Sequence, residues 1–223
     1  MLRQGLGRIG LQATPERLET FARYLSELLR WSARVNVTGF RTEAEIVCEG
    51  FLRSLGYRVA FKPAPGLRAV DIGSGAGFPG LVLKICYPEI DMLLVEAARR
   101  RATLLRSLIR QLGLTGVSCL QARAEQLQSD PDHRGAYQVA FARAVGPLAK
   151  VVALAEPLLV PGGRLVLQMG QTMADSLDPV RPLLAALGLR TVACDTFAPG
   201  PPIQPTQLLV IEKTQQARLR CFT

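Results

Sequence analysis

Ala69-Val70-Asp71-Ile72-Gly73-Ser74-Gly75-Ala76-Gly77-Phe78-Pro79-Gly80 carries a short apolar run with one acid near its end, then four glycines within eight positions. The run has the composition of a buried strand. Glycine at Gly73, Gly75 and Gly77 lets the following backbone turn sharply and bring its N–H groups to a ligand at the start of the next helix. Such a loop suits a nucleotide or something like one. Gly75-Ala76-Gly77-Phe78-Pro79-Gly80 also fits G-x-G-x-x-G, a pattern that purely structural turns produce as well. Asp71 separates the ligands, because a diphosphate placed there would meet like charge. A ligand with an ammonium group and no phosphate fits better, and S-adenosylmethionine carries an amine and a sulfonium.

Outward from this loop, short apolar runs alternate with amphipathic helical patterns, the mark of βαβ units and a parallel sheet covered on both faces. Strands are expected at Arg68 to Ile72, Met92 to Glu96, Val117 to Gln121, Val139 to Arg143 and Arg164 to Met169. Helices are expected near Leu81 to Cys86, Ala97 to Leu112, Pro147 to Leu159 and Ala174 to Leu187. Leu189 to Thr196 and Leu208 to Lys213 have no helix between them and read as an antiparallel pair at the sheet's end. The expected fold is therefore α/β and Rossmann-like, a mostly parallel seven-stranded sheet with an antiparallel C-terminal strand.

Before the loop, Thr14-Pro15-Glu16 offers an N-cap followed by proline, and Leu18, Phe21, Ala22, Leu25, Leu28 and Leu29 fall on one helical face. Thr42-Glu43-Ala44-Glu45 has capping-box spacing, and Val47, Phe51 and Leu55 then repeat every fourth residue, with Gly56 ending the helix. These two helices make an N-terminal helical extension over residues 1–62, and Lys62-Pro63-Ala64-Pro65-Gly66 marks its boundary with a ligand-binding domain over residues 63–223.

Glu96, at the end of the second strand, is placed to accept from both hydroxyls of a ribose, as an acid does there in dinucleotide folds. Ala124 and Glu125 close the third strand, where an adenine edge would lie. The five cysteines are odd in number and far apart, and His133 is the only histidine, so neither a disulfide framework nor a zinc site can be built. The net charge of +9 rests on 23 arginines and four lysines, which makes an anionic partner such as nucleic acid plausible. No signal pattern and no membrane-length apolar run is present, so a cytoplasmic protein is expected, and a monomer is the default.

Asp-x-Gly-x-Gly-x-Gly with an acid after the second strand resembles the class I S-adenosylmethionine-dependent methyltransferases. Val35-Asn36-Val37-Thr38, Gly77-Phe78-Pro79-Gly80, Arg123-Ala124-Glu125 and Arg143-Ala144-Val145 together look like the RsmG/GidB family. The resemblance implies S-adenosyl-L-methionine as cofactor, 16S ribosomal RNA or the small ribosomal subunit as partner, and neither metal nor membrane. It implies methylation at N7 of a guanine, position 527, in the 530 loop of bacterial 16S ribosomal RNA. Carried onto this sequence, it places the methionine end of the cofactor against Asp71, Gly73 and Gly75, with Ser74, Gly77 and Phe78 completing the loop. The ribose falls on Glu96, the adenine near Ala124 and Glu125, and Arg143 faces the substrate beside the cofactor, as the catalytic residue.

The substrate side departs from the family. Gly50-Phe51-Leu52-Arg53-Ser54-Leu55 stands where the family has His-x-Leu-Asp-Ser-Leu, Met169-Gly170 where it has Lys-Gly, and Val37 replaces a leucine between Asn36 and Thr38. Alternatives therefore stay open: another RNA, a protein or a small molecule as substrate, or an RNA-binding module with a vestigial cofactor pocket. For guanine N7 no general base is needed, which agrees with the lack of histidine and cysteine constellations, and Arg143 would contact O6 or a phosphate. Phe40, Phe78 and Phe141 are the candidates to stack on a base, with Phe141 reading more as core, and Arg99, Arg100, Arg101, Arg106 and Arg110 offer a basic face to RNA.

Overall fold

Strand β1, Arg68–Ile72, lies between two parallel neighbours, β2 (Asp91–Val95) and β4 (Tyr137–Ala142). The computed structural model describes residues 1–33, 37–169 and 177–215. Asn36, Gly170 and the first residues of the helix expected from Ala174 lie outside these. Beyond β2 lies β3 (Val117–Leu120) and beyond β4 lies β5 (Leu159–Met169), both parallel. The last strand, β7 (Thr206–Lys213), runs antiparallel between β5 and β6 (Leu189–Phe197), giving the order β3-β2-β1-β4-β5-β7-β6. The seven-stranded, mostly parallel sheet is the one expected, with β7 as its antiparallel member.

Alternate residues of a strand face opposite sides, so a strand covered on both must be apolar throughout. Ala69, Phe141 and Val166 enter a cluster on one face, while Val70, Ile72, Ala140, Ala142 and Leu165 enter a separate cluster on the other. The first face is covered by α4 (Gly80–Cys86), α5 (Arg99–Gln111) and residues of the N-terminal segment. The second is covered by the short α6 (Ala124–Leu127), α7 (Leu148–Ala155) and α8 (Arg181–Ala186).

The N-terminal segment differs most from its sequence pattern. A helix not expected, α1 (Leu2–Arg8), forms despite two glycines because Gly5 lies flat on Leu52: a Cβ there would run into the leucine methyls. The next, α2 (Pro15–Ser32), starts as the sequence indicates, with the Thr14 hydroxyl accepting from the Arg17 N–H at 3.3 Å. The capping box at Thr42 also forms, but the single helix expected after it does not. One α turn, α3 (Glu43–Glu45), widens into a π-helical stretch over Ile46–Leu52 and a 3-10 stretch over Leu55–Ala60. Ile46, Cys48, Gly50, Phe51 and Leu52 are all buried, so burial is not confined to the Val47, Phe51 and Leu55 stripe from which a regular helix was expected.

Hydrogen bonds tie this segment to the sheet's loops. The Tyr24 hydroxyl donates to the Ala76 carbonyl at 2.6 Å, the Tyr57 hydroxyl to the Ala142 carbonyl at 3.1 Å, and Arg143 to the Glu49 carbonyl at 2.8 Å. Among the described residues, no helix is long and apolar enough to cross a membrane.

Candidate cofactor and acceptor site

The loop after β1 turns on Gly73, Gly75 and Gly77, with φ of 72°, 58° and 101°. These left-handed values favour glycine, and at Gly77 a Cβ would also collide with the Tyr24 hydroxyl. The Gly73 and Ser74 N–H groups donate to the Val95 carbonyl at 2.8 and 3.1 Å, which folds the loop back over the end of β2.

Asp71 sits beneath this loop, fully buried. Its Oδ2 accepts from the Gly80 N–H at 2.9 Å, while Oδ1 is buried with no hydrogen-bond partner among the described residues. Gly80 permits that approach, since a Cβ there would lie 2.6 Å from the same oxygen. Burial pushes the Asp71 carboxyl up to about 7, against the lowering effect of the Gly80 hydrogen bond and of the Ser74 hydroxyl nearby, with the Glu96 charge adding to the rise. Burial, with the Asp71 charge beside it, also holds the Tyr24 phenol well above its ordinary value.

Glu96 emerges from β2 with both carboxylate oxygens engaged. Oε2 accepts from the Gly75 N–H at 2.9 Å and Oε1 from the Ala98 N–H at 2.8 Å, and Arg101 Nε stands 3.6 Å from Oε1. Glu96 therefore joins the glycine loop to the start of α5. A cavity of 270 Å³ opens there, and its walls include Gly73, Glu96, Ala97, Ala122, Ala124 and Glu125. Val145 and Lys150 close it from the side of α7, with Lys150 Nζ at 3.6 Å from Glu125.

Gly73, Glu96, Ala124 and Glu125, singled out from the sequence, thus share one cavity. Asp71, Ser74, Gly75, Gly77, Phe78 and Arg143 stand outside its lining. The Ser74 hydroxyl donates to the Asp71 carbonyl at 2.9 Å, and Phe78 is buried in an aromatic cluster with Tyr24, Phe51 and Phe40. The sequence did not mark Ala97, Lys150 or Leu154 as parts of this cavity. Lys150 and Leu154 come from α7, far along the chain, and only the fold brings them to the third strand. Arg101, read from sequence as part of an RNA-facing surface, lies against Glu96.

Arg143, one residue past β4, is held on two sides. Its Nη1 donates to the Glu49 carbonyl, and its guanidinium lies 5.9 Å from the centre of the Phe40 ring, a cation–π distance. Burial lowers its pKa, and the Arg53 charge adds to that effect. Arg53 is itself buried and donates to Glu49 Oε1 at 2.8 Å, so the positive residue standing in the family's aspartate position brings its carboxylate from one helical turn away. Gly50 leaves no room for the family's histidine: a Cβ there would lie 2.8 Å from the tip of the Phe78 ring. Phe141 is wholly buried, leaving Phe40 as the partly exposed ring of the three candidates. Among the described residues no cluster of His, Cys, Asp and Glu is arranged to hold a metal ion.

Residues 17–199 match the family described as GidB, rRNA small subunit methyltransferase G. The ribosomal RNA small subunit methyltransferase G of Roseiflexus sp. (strain RS-1) is 41% identical over 205 residues, 92% of this chain and 86% of that protein. The protein of the same description from Deinococcus radiodurans is 35% identical over 213 residues, 96% of this chain and 84% of that one. Among solved structures, geranyl diphosphate methyltransferase in complex with GPP and sinefungin matches with a TM-score of 0.61 at 14% identity, over 91% of this chain and all of that one. Precorrin-6y C5,15-methyltransferase from Geobacter metallireducens GS-15 matches with a TM-score of 0.55 at 16% identity, over 72% of this chain and 87% of that one. These two likenesses concern the fold, that of the class I methyltransferases.

Proposed function

The chain belongs to the rRNA small subunit methyltransferase G family, GidB, and from that premise we propose that it methylates N7 of guanine 527 in the 530 loop of bacterial 16S ribosomal RNA. Its cofactor is S-adenosylmethionine, which when bound supplies a methyl group made electrophilic by the sulfonium. The observation that favours N7 is that, among the described residues, no uncommitted base adjoins Arg143 and the loop after it. Arg143-Ala144-Val145-Gly146-Pro147 contains a single ionisable group, a cation, while Glu49 is engaged by Arg53 and Asp71 is buried against Gly80. Methylating an exocyclic amine or a hydroxyl requires a proton to leave, and N7 has none to lose. With the cofactor bound, its lone pair would take the methyl directly and the bonding pair would stay on sulfur, so no residue of the chain would have a proton to move.

The residues of the chain then have the work of binding, orientation and exclusion of water. Gly73, Ser74, Gly75 and Gly77 shape the loop that receives the methionine end, and the Oδ1 of Asp71, without a partner among the described residues, is the acceptor suited to its amine. Phe78 braces that loop from the core side. Glu96 has lone pairs left for the two ribose hydroxyls, and Ala124 and Glu125 border the adenine. Arg143, tied through one nitrogen to Glu49, keeps its remaining donors for O6 or a phosphate. A hydrogen bond from Arg143 to N7 itself would occupy the nucleophilic lone pair and is excluded on chemical grounds.

The test is transfer of labelled methyl from S-adenosylmethionine to small subunits, and to 16S ribosomal RNA, that lack this modification, followed by borohydride and aniline cleavage. One cleavage in the 530 loop is the expected result. Cofactor binding without labelling of either substrate would favour a second reading, a different acceptor, to which the altered positions Gly50, Arg53 and Met169 already point.

A further inference from the structure

Three hydrogen bonds run in series from the N-terminal segment through the glycine loop to Glu96. The Tyr24 hydroxyl, on α2, donates to the Ala76 carbonyl at 2.6 Å. The N–H of that same peptide belongs to Gly77 and donates to the Ser74 carbonyl at 2.7 Å. The N–H of the Ser74–Gly75 peptide in turn donates to Glu96 Oε2 at 2.9 Å. A trans peptide is planar, with its carbonyl and its N–H pointing opposite ways, so holding one end of each plane fixes the direction of the other. Glycine offers little steric resistance to turning such a plane, and the loop has glycine at both Gly75 and Gly77. Tyr24 is wholly buried, with its ring centre 5.0 Å from that of Phe51 and 5.9 Å from that of Phe78, so core packing sets where the hydroxyl stands.

We infer that Tyr24 is a positioning residue for S-adenosylmethionine: through the Ala76–Gly77 and Ser74–Gly75 peptides it holds the loop that receives the methionine end and aims the Glu96 carboxylate that receives the ribose. The inference rests on the cofactor placement proposed above. Without the hydroxyl the Ala76 carbonyl loses its Tyr24 donor, and a buried carbonyl without a donor costs free energy that turning the peptide relieves. Turning it carries the Gly77 N–H away from the Ser74 carbonyl and releases the Ser74–Gly75 plane, whose N–H holds Glu96 Oε2. Glu96 is then tied through Oε1 to the Ala98 N–H, and its other oxygen no longer has a fixed direction. Part of the cofactor's binding free energy goes into reordering the loop, and affinity falls.

Tyr24→Phe removes the hydroxyl and keeps the ring against Phe51 and Phe78. Tyr57→Phe is the matched control, because Tyr57 is also wholly buried, belongs to the same N-terminal segment and donates to a main-chain carbonyl, that of Ala142, outside the loop. In the protein without cofactor, amide exchange at Gly75 and Gly77 is expected to quicken about tenfold in Tyr24→Phe and to keep the wild-type rate in Tyr57→Phe. By calorimetry Tyr24→Phe is expected to bind S-adenosylmethionine about tenfold more weakly, with Tyr57→Phe within about twofold of the wild type. Combining Tyr24→Phe with Glu96→Gln should lose less affinity than the product of the two single losses, because both changes undo one series of contacts. Wild-type exchange at Gly77 in Tyr24→Phe, equal affinities in the two tyrosine variants, or a fully multiplicative loss with Glu96→Gln each overturns the inference. None of these readings uses RNA, so a wild type that binds the cofactor and methylates no ribosomal RNA removes the proposed acceptor and leaves the role of Tyr24 standing.

Discussion

Asp71 shows at the scale of one residue how position and partner are separate questions. Its place at the end of β1 was legible, since a lone acid before a glycine loop stands out in any apolar run. Its hydrogen bond to the Gly80 N–H was not, because that depends on how close α4 comes, and the closeness depends on Gly80 having no side chain. The carboxyl rises from 3.8 to about 7 on folding. The folded protein then takes up a proton between these values, and stability falls as pH rises through that window, levelling off above 7. Asp71→Asn is expected to flatten this fall, read as the difference between the two proteins in urea unfolding at pH 5 and pH 7. If the carboxylate meets the cofactor's amine, binding at pH 6 releases part of a proton per cofactor, which calorimetry in buffers of different ionisation enthalpy detects. No release at pH 6 would remove Asp71 from that contact. At Arg143, Phe40→Leu and Arg143→Lys are each expected to lower kcat for RNA several-fold with cofactor affinity unchanged. The double variant should lose less than the product of the two, because both changes undo one contact.

Among the elements, those with one strong pattern followed the sequence and those with mixed burial did not. β1 matches its expected bounds because it is apolar on both sides and punctuated by glycine. β5 begins at Leu159 rather than at Arg164, since Pro161, Gly162 and Gly163 read as a turn but stay within the strand, next to the register shift opposite Tyr137 and Val139. The π-helical stretch was misjudged because the fourfold spacing of Val47, Phe51 and Leu55 indicated an α-helix, whereas Ile46, Cys48, Gly50 and Leu52 off that stripe are buried as well. That stretch is also closely packed. Gly50→Ala pushes a methyl against Phe78 and is expected to cost about 1–3 kcal/mol of stability, measurable as a lower unfolding midpoint in urea. A midpoint equal to that of the wild type would mean that the aromatic cluster around Phe78 yields easily.

For the molecule as a whole, the charge and the topology were readable while the joints between distant segments were not. The excess of basic residues predicts binding to a polyanion, and Arg99, Arg100, Arg106 and Arg110 are all exposed on α5. Reversing Arg99 and Arg100 to glutamate should weaken RNA binding and reduce the slope of log affinity against log salt by roughly two, one for each phosphate that an arginine no longer neutralises. Cofactor affinity should stay within about twofold, since the Glu96 carboxylate has its nearest guanidinium in Arg101. An unchanged slope would take α5 out of the RNA interface. The cavity containing Glu96 could be half foreseen, from the strand ends that carry Gly73, Glu96 and Ala124. Its opposite wall belongs to α7, and no local pattern announces which helix will fold across a given strand.

The position of β7 bears on how the protein is made. During synthesis β5 and β6 leave the ribosome before the strand that must lie between them exists, so each presents an unpaired edge until Thr206 to Lys213 has emerged. A product that stops before Thr206 would keep both edges bare and exposed to other nascent chains. Such fragments should therefore aggregate rather than persist as a folded cofactor domain, and the completed sheet depends on a strand translated after both of the strands it joins.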